Sequence, residues 1–60
     1  MTETDAMRIA VTEAVREAFA KQIAGVPEPL RTTMIETFMA SKAAADQIEA
    51  FTARFVQRLN

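Results

Sequence analysis

The chain has 60 residues, half of them apolar, and its seven basic and eight acidic side chains give a net charge of −1. It contains no cysteine and no histidine, so disulfides are excluded and a zinc-type site lacks its usual ligands. A domain of this size buries only about 60% of the surface that its unfolded chain exposes. We therefore expect oligomerisation to supply part of its stability.

The composition predicts one all-α domain over residues 1–60. There is a single glycine, there are two prolines, and alanine, glutamate and arginine are abundant, which favours helices. No segment shows the alternating pattern of a β-strand. Residues 1–15 lack the apolar region of a signal peptide, and no apolar run is long enough for a membrane span. A cytoplasmic location is the resulting expectation.

The first helix is predicted over about residues 3–24. Gly25 suits the position just after its end, where a left-handed backbone conformation is often needed. Apolar residues recur along this helix at spacings of three and four, which predicts one broad apolar stripe. The stripe consists of Met7, Val11, Ala14, Val15, Ala18 and Phe19.

The turn is predicted at residues 25–28, within the segment AGVPEP, which holds the glycine and both prolines. Pro29 then suits the first turn of a second helix, because its missing N–H costs nothing there. Apolar residues recur at steps of three, four or seven over residues 29–59, which predicts one long helix. In the alternative, Ser41 caps a third helix that folds back into a compact three-helix monomer. Ser41 has no Gly or Pro beside it, so the continuous helix is favoured, with a possible kink there.

The two predicted helices form an antiparallel hairpin of unequal arms, roughly 33 Å and 46 Å long. This pairing places Thr4 near Ala50 and leaves about 13 Å of the second helix beyond the first. A homodimeric four-helix bundle would cover this overhang. The predicted assembly or partner surface joins the overhang to a second apolar flank, and it consists of Ile35, Phe38, Met39, Ile48, Phe51, Phe55, Val56 and Leu59.

Two polar regions are candidates for contacts with anions or nucleic acid. Arg31 and Thr32 lie in the first turn of the second helix, where free N–H groups and the helix dipole favour an anion. Arg54 and Arg58 are four residues apart near the end of the chain, beside large apolar residues. Cations at a helix C-terminus also serve simply to complement the helix dipole.

These features predict a non-enzymatic protein that homo-oligomerises, with a dimer favoured, and binds a protein partner as an adaptor or inhibitor. Catalysis, a cofactor and a metal are not expected, because the chain has no His, Cys or Tyr for acid–base chemistry. The acidic balance, with a pI near 5.2, argues against nucleic acid, and a membrane partner is not expected either. One alternative is a nucleic-acid-binding regulator that uses Arg31, Arg54 and Arg58. Another is an oligomer that binds an anionic small ligand between its subunits.

Overall fold

The computed structural model describes residues 3–59, apart from the side chain of Leu59, and every regular element in that range is an α-helix. Helix α1 spans Glu3–Gln22, α2 spans Leu30–Met39 and α3 spans Lys42–Leu59. The all-α prediction is confirmed. None of these described helices has both the length and the apolar character needed to cross a membrane.

The first corner of the chain joins α1 to α2 and contains the predicted turn. Helix α1 ends at Gln22, two residues earlier than predicted. The N–H of Ile23 still donates to the Phe19 carbonyl (3.2 Å), and that of Val26 donates to the Ile23 carbonyl (2.9 Å). Gly25 has no positive φ, so the predicted left-handed residue is wrong. The chain leaves the helix through successive tight turns, which need no left-handed residue.

The second corner separates α2 from α3, and it shows that the predicted continuous helix over residues 29–59 is wrong. The Ser41 hydroxyl donates to the carbonyl of Phe38 (2.6 Å) and accepts the N–H of Ala44 (3.2 Å). Carbonyls at a helix C-terminus and N–H groups at a helix N-terminus have no partner within their own helix. One hydroxyl therefore satisfies a group from each helix, and Ser41 is the N-cap of α3.

The three helices form an elongated molecule with principal extents of 42 × 19 × 18 Å. Its radius of gyration is 13.0 Å, whereas a compact domain of this length has about 10.4 Å. The break at Ser41 therefore gives an elongated molecule, and not the compact three-helix monomer that the alternative prediction described. The long dimension matches the combined length of α2 and α3, about 42 Å.

The core is a narrow seam between α1 and α3. Within the described chain only four side chains are buried, namely Val11, Val15, Ala44 and Thr52. Thr52 is 3% exposed, and its hydroxyl has no hydrogen-bond partner among the described residues. A seam of this size stabilises a monomer only slightly, since a buried valine contributes about 1.5–3 kcal/mol.

An ion pair between Arg8 and Glu49 joins α1 to α3 and indicates how far one helix is displaced along the other. This ion pair places the second half of α3 beside the first half of α1. The predicted pairing of Thr4 with Ala50 joins the same two helix regions and stays a prediction. The predicted overhang of about 13 Å stays a prediction.

Candidate interaction surface

A groove of about 770 Å³ runs along the surface between α1 and α3. Helix α1 forms one wall with residues spaced by three and four, because these positions share one face of a helix. Helix α3 forms the other wall with residues spaced by four. The groove is lined by Met7, Ala10, Val11, Ala14, Val15, Ala18, Phe19, Gln22, Phe38, Gln47, Phe51 and Phe55.

The two walls of the groove differ in side-chain size. On α1 the exposed lining residues include Ala14 and Ala18, whose methyl groups leave space above the helix. On α3 the rings of Phe51 and Phe55 stand in the groove and remain 40% and 39% exposed. Exposed phenylalanines beside uncovered alanines form a contiguous apolar surface, which is typical of an interaction site.

Two stacked aromatic rings line the groove beside the C-terminal part of α1. Phe19 of α1 and Phe38 of α2 are stacked, with their ring centroids 4.3 Å apart and an interplanar angle of 8°. This contact holds α2 against the C-terminal part of α1. Phe38 was predicted to serve an intermolecular surface, and the structure gives it an intramolecular partner while it still lines the groove.

The predicted assembly surface is divided by the break at Ser41. Phe38, Phe51 and Phe55 line the groove. A second, smaller depression of about 290 Å³ lies on α2 next to α1. It is lined by Arg16, Thr32, Ile35, Glu36 and Met39. Of the remaining predicted residues, Ile48 and Val56 are half-buried and line neither depression, and the side chain of Leu59 lies outside the described part of the chain.

Unpaired charged side chains flank the groove. On α1, Glu3 and Glu17 stand seven residues to either side of Ala10 and so share its helical face. On α3, the guanidinium of Arg54 lies 5.6 Å from the ring centroid of Phe51, a distance at which a cation attracts the face of the ring. Among the described residues, no ion pair is formed by Glu3, Glu17, Lys21, Arg54 or Arg58.

The candidate anion site at the start of α2 holds a carboxylate from the chain itself. The backbone N–H of Thr32 donates to Oε1 of Glu28 (2.9 Å), and the Thr32 hydroxyl donates to Oε2 (2.7 Å). These hydrogen bonds, with a smaller contribution from Arg31, hold the pKa of Glu28 below its usual value. Arg31 also donates to the carbonyl of Ala24 (3.4 Å). An external anion would have to displace Glu28 from these donors.

The cationic candidates do not form one surface. Arg31 lies beside the first corner, whereas Arg54 and Arg58 lie near the end of α3. Arg31 contacts the carbonyl of Ala24 just beyond the C-terminus of α1, whereas the Arg8–Glu49 ion pair places the second half of α3 beside the first half of α1. The two regions therefore lie toward opposite ends of α1. The structure therefore places no three-arginine cluster on a single chain.

Sequence reasoning missed the role of α1 in this site. Its apolar stripe was expected to be covered by the second helix, and only Val11 and Val15 are buried. The width of the stripe was the available signal. Eight lining positions of α1 span about 180° of the helix surface, and one narrow neighbour covers less than that.

The described residues contain no cluster of three or more acidic, histidine or cysteine side chains that could hold a metal ion. Comparison of the chain with protein-family models, with curated proteins and with solved structures gives no match.

Proposed function

We propose that this protein is a non-enzymatic helical interaction module, which homo-oligomerises and binds a macromolecular partner as an adaptor or inhibitor. The observation that carries the proposal is the apolar groove between α1 and α3. Its size, about 770 Å³, lies within the usual range for ligand sites, but its open, elongated form fits a helix better than a small molecule.

The energetics of the monomer support this proposal. The seam buries four side chains, while the groove beside it leaves two phenylalanines about 40% exposed. Burying apolar surface contributes about 25 cal/mol per Å². Covering the groove would therefore bury more apolar surface than the monomer buries there by itself. A partner that binds only the folded chain in this way stabilises the fold by mass action.

The chemistry of the groove supports binding and not catalysis. Its lining has two polar side chains, Gln22 and Gln47, and neither is a proton donor or acceptor for acid–base catalysis at neutral pH. Amide side chains at the edge of an apolar groove instead suit hydrogen bonds to the backbone or side chains of a bound helix.

A photo-crosslinking experiment in living cells tests the proposal. A photo-reactive amino acid replaces Ala14 in the groove, and in a control variant it replaces Ala53. Ala53 is also an exposed alanine within a helix, but it lines neither depression. We expect adducts from position 14 and far fewer from position 53. Equal yields at the two positions would contradict a groove that serves binding.

The masses of the adducts separate the two parts of the proposal. An adduct of twice the chain mass of 6.6 kDa indicates self-association through the groove. An adduct of any other mass indicates a foreign partner, and mass spectrometry then identifies the crosslinked peptide. Nucleic-acid adducts from position 14 would contradict a protein-binding groove.

A further inference from the structure

We infer that the occupant of the groove is a second copy of this chain, in a symmetric dimer whose twofold axis runs along the groove. In this arrangement α1 of each copy packs on α3 of the other, and the dimer is a four-helix bundle of two α1 and two α3 helices. The inference rests on the proposed function, since it names the partner at the same groove.

The exposed area of the chain is larger than that of a compact monomer. The chain exposes 4508 Å², whereas a compact monomer of 6.6 kDa exposes about 3,900 Å². The excess of about 600 Å² approaches the roughly 800 Å² that each partner buries in an interface of standard size. A second copy removes a comparable area from each chain.

The α1 and α3 walls of the groove can pack against each other between two copies. A twofold axis along the groove sets the α3 wall of one copy against the α1 wall of the other. Phe51 lies two residues beyond Glu49, close to the level of Met7. The phenylalanine wall of each copy then meets the α1 wall of the other near Met7, so large apolar side chains from both copies face one another and exclude water from the interface. The contact is made twice, as an isologous dimer requires.

Opposite charges on the two rims of the groove also favour this dimer. Glu3 on the α1 rim and Arg54 on the α3 rim are each five residues nearer their chain terminus than the paired Arg8 and Glu49. In antiparallel helices they therefore lie at about the same level. Neither forms an ion pair with another residue in the part of the chain that the structure describes. A twofold axis along the groove preserves levels, so Glu3 of each copy comes opposite Arg54 of the other. An axis across the groove would instead set α1 on α1 and bring acidic rims together.

The first experiment measures molar mass by light scattering from about 1 μM to about 1 mM, a range that spans moderate affinities. We expect the wild-type chain to be a dimer. Ala14→Lys places an unpaired charge in the covered groove and should raise the dimer Kd by at least about 100-fold. Ala53→Lys is the matched control. Both positions are exposed in the monomer and lie one turn from a glutamate, so folding should be unaffected and the control should dimerise normally.

The second experiment tests which helices meet. Glu3→Arg and Arg54→Glu each place like charges opposite one another in the homodimer, twice, and should raise its Kd roughly three- to thirtyfold. Mixing the two variants restores both attractive pairs between unlike chains. Native mass spectrometry should therefore show more heterodimer than the half that random pairing gives.

Three results would overturn the inference. A wild-type chain that stays monomeric at about 1 mM rules out the second copy, and foreign adducts at position 14 would then leave the proposed function standing. A dimer that Ala14→Lys weakens no more than Ala53→Lys uses another face. If the Glu3→Arg and Arg54→Glu chains form heterodimers only in the random proportion, α1 of one copy does not pack on α3 of the other. If the photo-reactive residue at position 14 gives no adduct with any partner, by contrast, the proposed function itself is contradicted.

Discussion

The two sides of the apolar stripe on α1 have opposite environments. One side forms the seam, in which Val11 and Val15 are buried against α3. The other side forms the wall of the groove, in which Ala10 and Ala14 are exposed. Both sides follow the same helical spacing, so periodicity alone does not distinguish them. Side-chain size does, because β-branched residues fill the contact with α3 while alanines leave the helix surface open.

This contrast indicates where the stability of the single chain is located. A 60-residue chain without disulfides rarely gains more than about 3–5 kcal/mol from its core. Much of that must come from the seam, because the seam holds the four buried side chains of the described residues. Substitutions in the seam should therefore change folding, and substitutions in the groove should change association.

The largest expected effect is overpacking of the seam. Ala44 is 0% exposed, and Ala44→Leu inserts three carbon atoms where the helices touch. We expect the free energy of unfolding to fall by about 2–3 kcal/mol, measured by urea denaturation at fixed chain concentration. The control is Ala43→Leu, at an exposed position of the same helix, which should change stability by less than about 0.5 kcal/mol. Equal effects would mean that the seam is not the core.

The second prediction concerns the corner that lays α3 along the seam. Ser41→Ala removes both hydrogen bonds of the hydroxyl and should lower the free energy of unfolding by about 1–2 kcal/mol. Ser41→Asp keeps an acceptor for the N–H of Ala44 but has no donor for the Phe38 carbonyl, so it should restore only part of the loss. Chemical denaturation of the three proteins measures the difference. An unchanged Ser41→Ala variant would show that the corner forms without its cap.

The third prediction is a gain in stability within the seam. The Thr52 hydroxyl is buried without a hydrogen-bond partner among the described residues. Thr52→Val replaces it with a methyl group of similar shape and should raise the free energy of unfolding by about 1 kcal/mol. Thr37→Val, at an exposed position of α2, is the control and should have little effect. Destabilisation by Thr52→Val would indicate that the hydroxyl has a partner in solution.

The smallest effect is expected at the first corner, outside both seam and groove. Hydrogen bonds from Thr32 lower the pKa of Glu28 from its ordinary value of 4.5. The ionised carboxylate therefore contributes stability above pH 4.5, and this contribution is lost as the pH falls through the lower folded-state pKa. Nuclear magnetic resonance titration should place the Glu28 midpoint below 4.5. Thr32→Val, which removes the hydroxyl donor, should raise the midpoint, and an unchanged midpoint would contradict this cause.

The two corners show what could be predicted locally. A proline restricts the backbone and a glycine frees it, and each effect depends on that residue alone. The first turn was therefore correctly located from Gly25, Pro27 and Pro29. Ser41 acts through a hydroxyl that reaches groups in two helices. The same residue is common on the exposed surface of helices, and its capping role depends on the direction of the following chain. The position of the first corner was therefore predictable and the second break was left as an alternative.

The groove was predictable in part for a similar reason. Phe38, Phe51 and Phe55 were identified because large apolar residues remained after one hairpin contact was satisfied. Ala10 was missed because a methyl group is compatible with burial and exposure alike. Its exposure depends on the lateral position of α3, which Val11 and Val15 determine through contact and not through any local signal.

The sequence by itself determined that this protein is helical, that the chain turns at its glycine and prolines, and that α1 has an apolar stripe. These properties depend on backbone restrictions and on the 3.6-residue period, which act within a few residues of each other. Only the tertiary structure decided where α3 lies on the stripe, and hence that Val15 is covered while Ala14 is open. That choice depends on which side chains fit across two helices 20 or more residues apart in the chain, and such packing is a property of the pair and not of either segment.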